Sequence, residues 1–186
     1  MGRTKLLLIA TISIALGGAS FFLTQQEGVD NRASTTVAAV VGESSKLQLE
    51  EARSLPFMDL KSDSHTLKGW EGKVLILNFW ATWCPPCRRE IPAFIELQDE
   101  FGDKGLQFVG VAVDNAKRVA TYAVKNGINY PTLLGESNGL ELSIMLGNSA
   151  SVLPYTVIFD RNGTMISSHR GEVSRELMLE QVSPLL

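Results

Sequence analysis

Cys84 and Cys87 are the only cysteines in the 186 residues, and Pro85 and Pro86 are all that separate them. Two sulfurs three positions apart are poor scaffolding, because closing so short a loop excludes few unfolded conformations. They could supply half of a zinc site, but a structural zinc needs four ligands. The remaining candidates are two histidines. His65 precedes the first long apolar run and His169 lies near the C-terminus, so neither has ligand spacing, and no metal is expected. What remains is dithiol–disulfide exchange, in which a thiolate attacks a disulfide sulfur. No phosphate-cradling glycine loop is present, so no nucleotide or flavin is expected. The redox-active Cys84–Cys87 pair would be the only cofactor.

Such a pair must be positioned. Lys73–Trp80 is a nearly continuous apolar run, as expected of a central strand covered on both faces. A helix is predicted to begin at the cysteines and run through about Glu100. The positive end of a helix dipole and its free amides stabilise an anion, so a thiolate at Cys84 should have a lowered pKa. Pro85 and Pro86 fit the first turn, where amide donors are dispensable, and they stiffen the loop that presents the sulfur. Cys87, one turn further in, should be the more buried and less reactive sulfur, able to attack a mixed disulfide on Cys84. A Cys-x-x-Cys after a strand, in a βαβ setting, is a strong redox signal.

The surrounding pattern supports a mixed sheet with helices on both faces. Strands are predicted at Leu106–Val113 and Val152–Phe159. Helices are predicted over about 116–126, ending at Asn126-Gly127, over Gly139–Met145 and over about 174–183. Asp160–Gly163 reads as a hairpin turn, with Asn-Gly supplying positive φ angles, and Thr164–His169 as the returning strand.

Ahead of this domain, Arg3 and Lys5 precede an uncharged stretch from Leu6 to Leu23. Its length, at the short end of what spans a bilayer, favours a signal anchor over 1–23 with everything after it facing outward. A cleaved signal peptide, with Gly17 and Ala19 before the cut, is the alternative. Residues 24–46 lack sustained periodicity and read as a tether, leaving 47–186 as the domain. A net charge of -3 without any basic run gives no footprint for nucleic acid.

The block from Asn78 to Pro92, containing Trp83-Cys84-Pro85-Pro86-Cys87, resembles the active-site block of the TlpA/ResA/DsbE-type membrane-anchored thioredoxins. The likeness extends to Val109–Val113, Tyr130-Pro131 and Leu153-Pro154-Tyr155-Thr156. It implies an α/β thioredoxin fold with extra N-terminal strands and a central insertion, preceded by one transmembrane helix. It also implies an extracytoplasmic thiol–disulfide oxidoreductase, with the catalytic domain on the periplasmic or outer side of the cytoplasmic membrane.

Within the resemblance, Cys84 matches the attacking cysteine and Cys87 the resolving one. Pro154 matches a cis-proline beside the disulfide, where it and Leu153 present backbone to substrate. Trp83, Pro85 and Pro86 form the surface a substrate would meet, and Pro92 matches a kink in the active-site helix. Glu90 matches an acidic residue that raises thiol pKa values and relays protons. Read from position alone, it is a surface glutamate favoured by the helix dipole. Asn78 replaces the buried aspartate of cytoplasmic thioredoxin. Implied partners are protein disulfides, with the Cys-x-x-Cys-His site of an apocytochrome c as one example, and a membrane electron donor of the DsbD/CcdA type. Three other readings stand beside this one. They are an oxidant or isomerase on the same fold, a non-enzymatic binding module, and a peroxide reductase, against which Ala81 stands in place of a threonine three residues before the reactive cysteine.

Overall fold

The computed structural model describes residues 43–136 and 138–186. The expected anchor over 1–23 and the tether up to residue 42 lie outside the described residues. Among those described, no helix is long and apolar enough to cross a membrane. Gln48–Leu186 forms one compact unit.

A helix, α1, occupies 43–54 and was not foreseen; its first residues fall within the span read as tether. A small antiparallel hairpin follows, β1 (Phe57–Met58) and β2 (Ser64–His65), which supplies the extra N-terminal strands. A 3-10 turn, Leu67–Trp70, leads into the central strand β3 (Val74–Trp80), buried at every position. Then come α2 (Pro85–Phe101), β4 (Leu106–Ala112), α3 (Ala116–Asn126), β5 (Thr132–Leu134) and α4 (Gly139–Met145). The chain closes with β6 (Tyr155–Phe159), β7 (Met165–Arg170) and α5 (Arg175–Val182).

The five-stranded sheet has the order β5-β4-β3-β6-β7. β3, β4 and β5 run parallel, while β6 and β7 pair antiparallel. This is the thioredoxin-like mixed sheet, with α4 inserted between β5 and β6.

Side chains alternate across the sheet, and its two faces are covered differently. Leu75, Leu77 and Phe79 of β3 join Val109, Val111, Leu133, Val157 and Phe159 in a core closed by Ala52 of α1, Leu67, and Leu142 and Leu146 around α4. Val74 and Ile76 face the other way, onto Phe94 and Leu97 of α2 and Met178 and Val182 of α5. Towards the C-terminal end of β3, Trp80 continues this second core to Cys84, Cys87, Ile91 and Val119.

Two expectations are corrected. Strand β6 begins at Tyr155 and not at Val152, because Val152–Pro154 form the loop that carries a cis bond. The 160–163 hairpin exists, but Asn162 does not take a positive φ; only Gly163 does, at 75°. The turn is held instead by Asp160 Oδ1, which accepts from the amides of Asn162 and Thr164 at 2.9 and 2.8 Å. An aspartate at the turn's start bonds the chain two residues on and removes the need for a second left-handed residue.

Candidate active site

The loop Ala81–Trp83 leaves the end of β3, and Cys84 becomes the N-cap of α2. Its conformation is held from below by Asp114, just beyond β4. Both the amide and the hydroxyl of Thr82 donate to Asp114 Oδ2, the amide at 3.1 Å. Arg118 pairs with Asp114 Oδ1 from α3. Burial alone would push the Asp114 carboxyl up, but the bonds from Thr82 and Arg118 outweigh it and hold the group below the usual carboxylate range.

Cys84 and Cys87 are joined as a disulfide with their Cα atoms 5.3 Å apart. Pro85 and Pro86 have no N–H, so the first amide donor of α2 belongs to Cys87. It donates to Cys84 Sγ at 3.4 Å. This bond and the helix dipole would favour a thiolate at Cys84 once the pair is reduced. Cys84 is 4% exposed and Cys87 is fully buried. The difference is small, and of the two residues Cys84 is the one that reaches the surface. Trp83 beside it is 62% exposed, while Trp80 is core and packs on Tyr122. Helix α2 continues through Pro92.

Opposite the disulfide, the Leu153–Pro154 bond is cis. Leu153 packs against the cluster that contains both cysteines. The approach to it is clamped by Asn148, fully buried, whose Nδ2 donates to the Val152 carbonyl at 2.9 Å and whose Oδ1 accepts from the Val152 amide at 3.3 Å. Tyr155 Oη ties the same loop down by donating to the Leu146 carbonyl at 2.7 Å. The Pro154 carbonyl is taken by Gly171 N–H at 2.9 Å. No main-chain bond engages the N–H or C=O of Leu153 among the described residues. The structure thus gathers Cys84, Cys87, Trp83, Pro85, Pro86, Leu153 and Pro154 at one end of the sheet.

Glu90 lies one turn beyond Cys87 and is 2% exposed, which removes the surface-glutamate reading. Its Oε1 accepts from Asn78 Nδ2 at 2.8 Å and its Oε2 from the Val173 amide at 3.0 Å. Asn78 also donates to Thr156 Oγ1 at 3.0 Å. Burial raises the Glu90 carboxyl to about 7; the Val173 and Asn78 bonds oppose this, and the nearby Glu172 carboxylate adds to it. The carboxyl therefore changes protonation near neutral pH.

Asn78, Gly110 and Thr132 are register partners across β3, β4 and β5, and Thr156 partners Asn78 on β6. This places a polar row under α2 in an otherwise apolar layer. Gly110 is needed within it, because a Cβ there would lie 2.8 Å from Trp80 Nε1. Among the described residues, Asn78 Oδ1, Trp80 Nε1, Tyr130 Oη and Thr132 Oγ1 are buried without a hydrogen-bond partner.

Sequence reasoning missed Asp114, Thr156, Asn148 and the Val173 amide. For Glu90 a signal was available. Cys87, Glu90, Ile91, Phe94 and Leu97 are the buried positions of α2, and their three- and four-residue spacing is that of one helix face. Asp114 and Asn148 gave no comparable signal, since the bonds by which they hold the site go to Thr82, 32 positions away, and to the main chain of Val152.

Comparison with known proteins agrees with this geometry. The AhpC/TSA family profile matches residues 49–168, more than half of the chain. A thiol–disulfide oxidoreductase ResA from Geobacillus kaustophilus is 31% identical over 130 residues, covering 68% of this chain and 72% of that protein. The thioredoxin-like protein YneN of Bacillus subtilis is 31% identical over 141 residues, covering 72% of this chain and 79% of its own. Among solved structures, a thiol:disulfide interchange protein of the thioredoxin family from Chlorobium tepidum superposes with a TM-score of 0.64 at 26% identity. That match covers 70% of this chain and 92% of the other. With a disulfide-bonded Cys-Pro-Pro-Cys at a helix N-terminus on a thioredoxin-like sheet, the chain belongs to the AhpC/TSA family, among its ResA-like thiol–disulfide oxidoreductases.

Proposed function

We propose that the protein is a membrane-tethered, extracytoplasmic disulfide reductase in which Cys84 attacks and Cys87 resolves. The observation that carries the division of labour is the first free amide of α2 pointing at Cys84 Sγ and not at Cys87. In the reduced enzyme the Cys84 thiolate attacks one sulfur of a target disulfide. A Cys84–target bond forms, the target S–S bond breaks, and the other target sulfur leaves as a thiolate. Cys87 then loses its proton and attacks Cys84 Sγ, expelling the second target thiolate and leaving the pair oxidised. The target gains two electrons and, from solvent, two protons.

Glu90 is the group we assign to the proton of Cys87. It is buried on the same helix face and titrates near neutrality, where a proton acceptor is effective. Trp83, Pro85 and Pro86 form the rim a target meets, and the unengaged main chain of Leu153 beside cis-Pro154 is the edge along which it would pair.

Tethering rests on the apolar stretch Leu6–Leu23. A membrane donor of the DsbD/CcdA type would return the electrons, and apocytochrome c is one acceptable target.

Direction is tested by the equilibrium reduction potential of Cys84–Cys87 in the full chain in nonionic detergent. A value below roughly -220 mV, within or beyond the thioredoxin and glutaredoxin range, supports a reductase. A value above about -150 mV, toward the DsbA end, makes the protein an oxidant or isomerase instead.

A further inference from the structure

The protein is acidic overall, with a net charge of -3, yet the surface beside Cys84 is basic. Two open hollows lie between the start of α2 and the outer side of α3, and they share Tyr122 and Lys125 as a common wall. One, of about 350 Å³, reaches Thr82 and is rimmed by Lys117 and Arg118. The other, of about 500 Å³, reaches Pro85 and is rimmed by Arg88 and Arg89. The hollows therefore flank Cys84 along the chain, through the residue two before it and the residue after it.

No carboxylate lines either hollow. The acids bonded to lining residues are already committed. Asp114 is buried and bonded to Thr82 and Arg118, and Glu172 is paired with Arg89 at 2.5 Å. Arg88, Lys117 and Lys125 are exposed and form no ion pair among the described residues. The half-buried Tyr122 gives the groove an apolar floor.

We infer that this groove is a docking surface for an acidic polypeptide segment flanking the target disulfide, so that the enzyme selects disulfides set among aspartates and glutamates. A like-charged, lysine-flanked target would be repelled at the same place. Complementary charge acts mainly on encounter rate and partner choice. A small anion would need no tyrosine floor and would not span two hollows. This reading rests on the disulfide-exchange function proposed above and adds a substrate class to it.

The test uses the reduced full chain in nonionic detergent and three peptides, each with one internal disulfide. The peptides differ only in flanking residues, which are Glu/Asp, Gln/Asn or Lys/Arg. The second-order rate constant for a single turnover is followed by tryptophan fluorescence. At low ionic strength the acidic peptide should react about tenfold faster than the basic one, and the gap should close in 0.5 M salt as charges are screened. Lys117→Glu/Lys125→Glu should invert the order, and Lys117→Gln/Lys125→Gln should shrink it, both leaving the neutral peptide within about twofold, since neither lysine touches the sulfurs. Equal rates for the three peptides, faster reaction of the basic one, or a preference that survives charge reversal would overturn the groove while leaving exchange chemistry intact. If none of the peptides reacted, disulfide exchange itself would fail, and the docking proposal with it.

Discussion

The two faces of the central sheet are built to opposite rules. On the face toward α1 and α4, the inward positions of β3, β4 and β5 are Leu75, Leu77, Phe79, Val109, Val111 and Leu133, apolar throughout. On the face toward α2, Asn78 of β3, Thr132 of β5 and Thr156 of β6 form one polar row, with Glu90 above it. Burying an unpaired polar group opposes folding, so the first face is the one that packing alone would select. The second places a titratable carboxyl behind the resolving cysteine. Both faces bury an apolar core, but only the one under α2 also carries adjustable chemistry.

The largest effect should come from breaking the apolar face. Phe79 is fully buried and its ring packs on Tyr155 with centroids 6.0 Å apart. Phe79→Ala should cost about 3–5 kcal/mol in denaturant unfolding, the range for emptying an aromatic core site. A cost near 1 kcal/mol would mean that this face is not tightly packed around Phe79.

Glu90→Gln addresses the other face and is read through pH. The folded carboxyl sits at about 7 against an ordinary 4.5. Between those values the folded state holds a proton that the unfolded state has released, so stability falls as pH rises through the window. Below it both states are protonated, and above it the full penalty of an ionised buried carboxyl applies. The loss from pH 4.5 to 7 should be of the order of 3 kcal/mol. Glu90→Gln should abolish that slope; an identical slope in the variant would assign it to another group.

Asn78→Leu should cost about 2 kcal/mol, because it strips a donor from two buried acceptors, Glu90 Oε1 and Thr156 Oγ1. Its more telling consequence is on Glu90. Removing the Asn78 Nδ2 donor withdraws a bond that favours the anion, so carboxyl NMR should place Glu90 above 7. A lower value would contradict the assigned bond. Tyr130→Phe should have the smallest effect, within about 0.5 kcal/mol, because deleting a hydroxyl with no protein partner forfeits no intramolecular bond.

The legible parts of the fold were those written locally. The apolar run of β3, the cysteines at the start of α2, the helix stop at Asn126-Gly127 and the closing helix are each set by neighbours in sequence. β5 was not legible, since three residues after Tyr130-Pro131 carry too little periodicity. Nor was α1, where Leu49 and Ala52 sit among charges and the buried Arg53 pairs with Glu50 and Glu71. At the site, the cysteines were readable from spacing and cis-Pro154 only through resemblance. The burial of Glu90 could be read from its place on the apolar face of α2, but its bonding partners Asn78 and Val173 lie 12 and 83 positions away, and Thr82, the partner of Asp114, lies 32 away. Long-range polar partners of this kind leave no periodic trace.

The division of labour between the two sulfurs is tested most directly by trapping. Reduced full-length Cys87→Ala and Cys84→Ala would each be incubated with a disulfide peptide, and the mixed disulfide counted by mass spectrometry. Cys87→Ala should accumulate one adduct on Cys84 that nothing resolves, while the buried Cys87 of Cys84→Ala should form little or none. Comparable adduct on Cys87, or none in either variant, would contradict the assignment of Cys84 as the attacking sulfur.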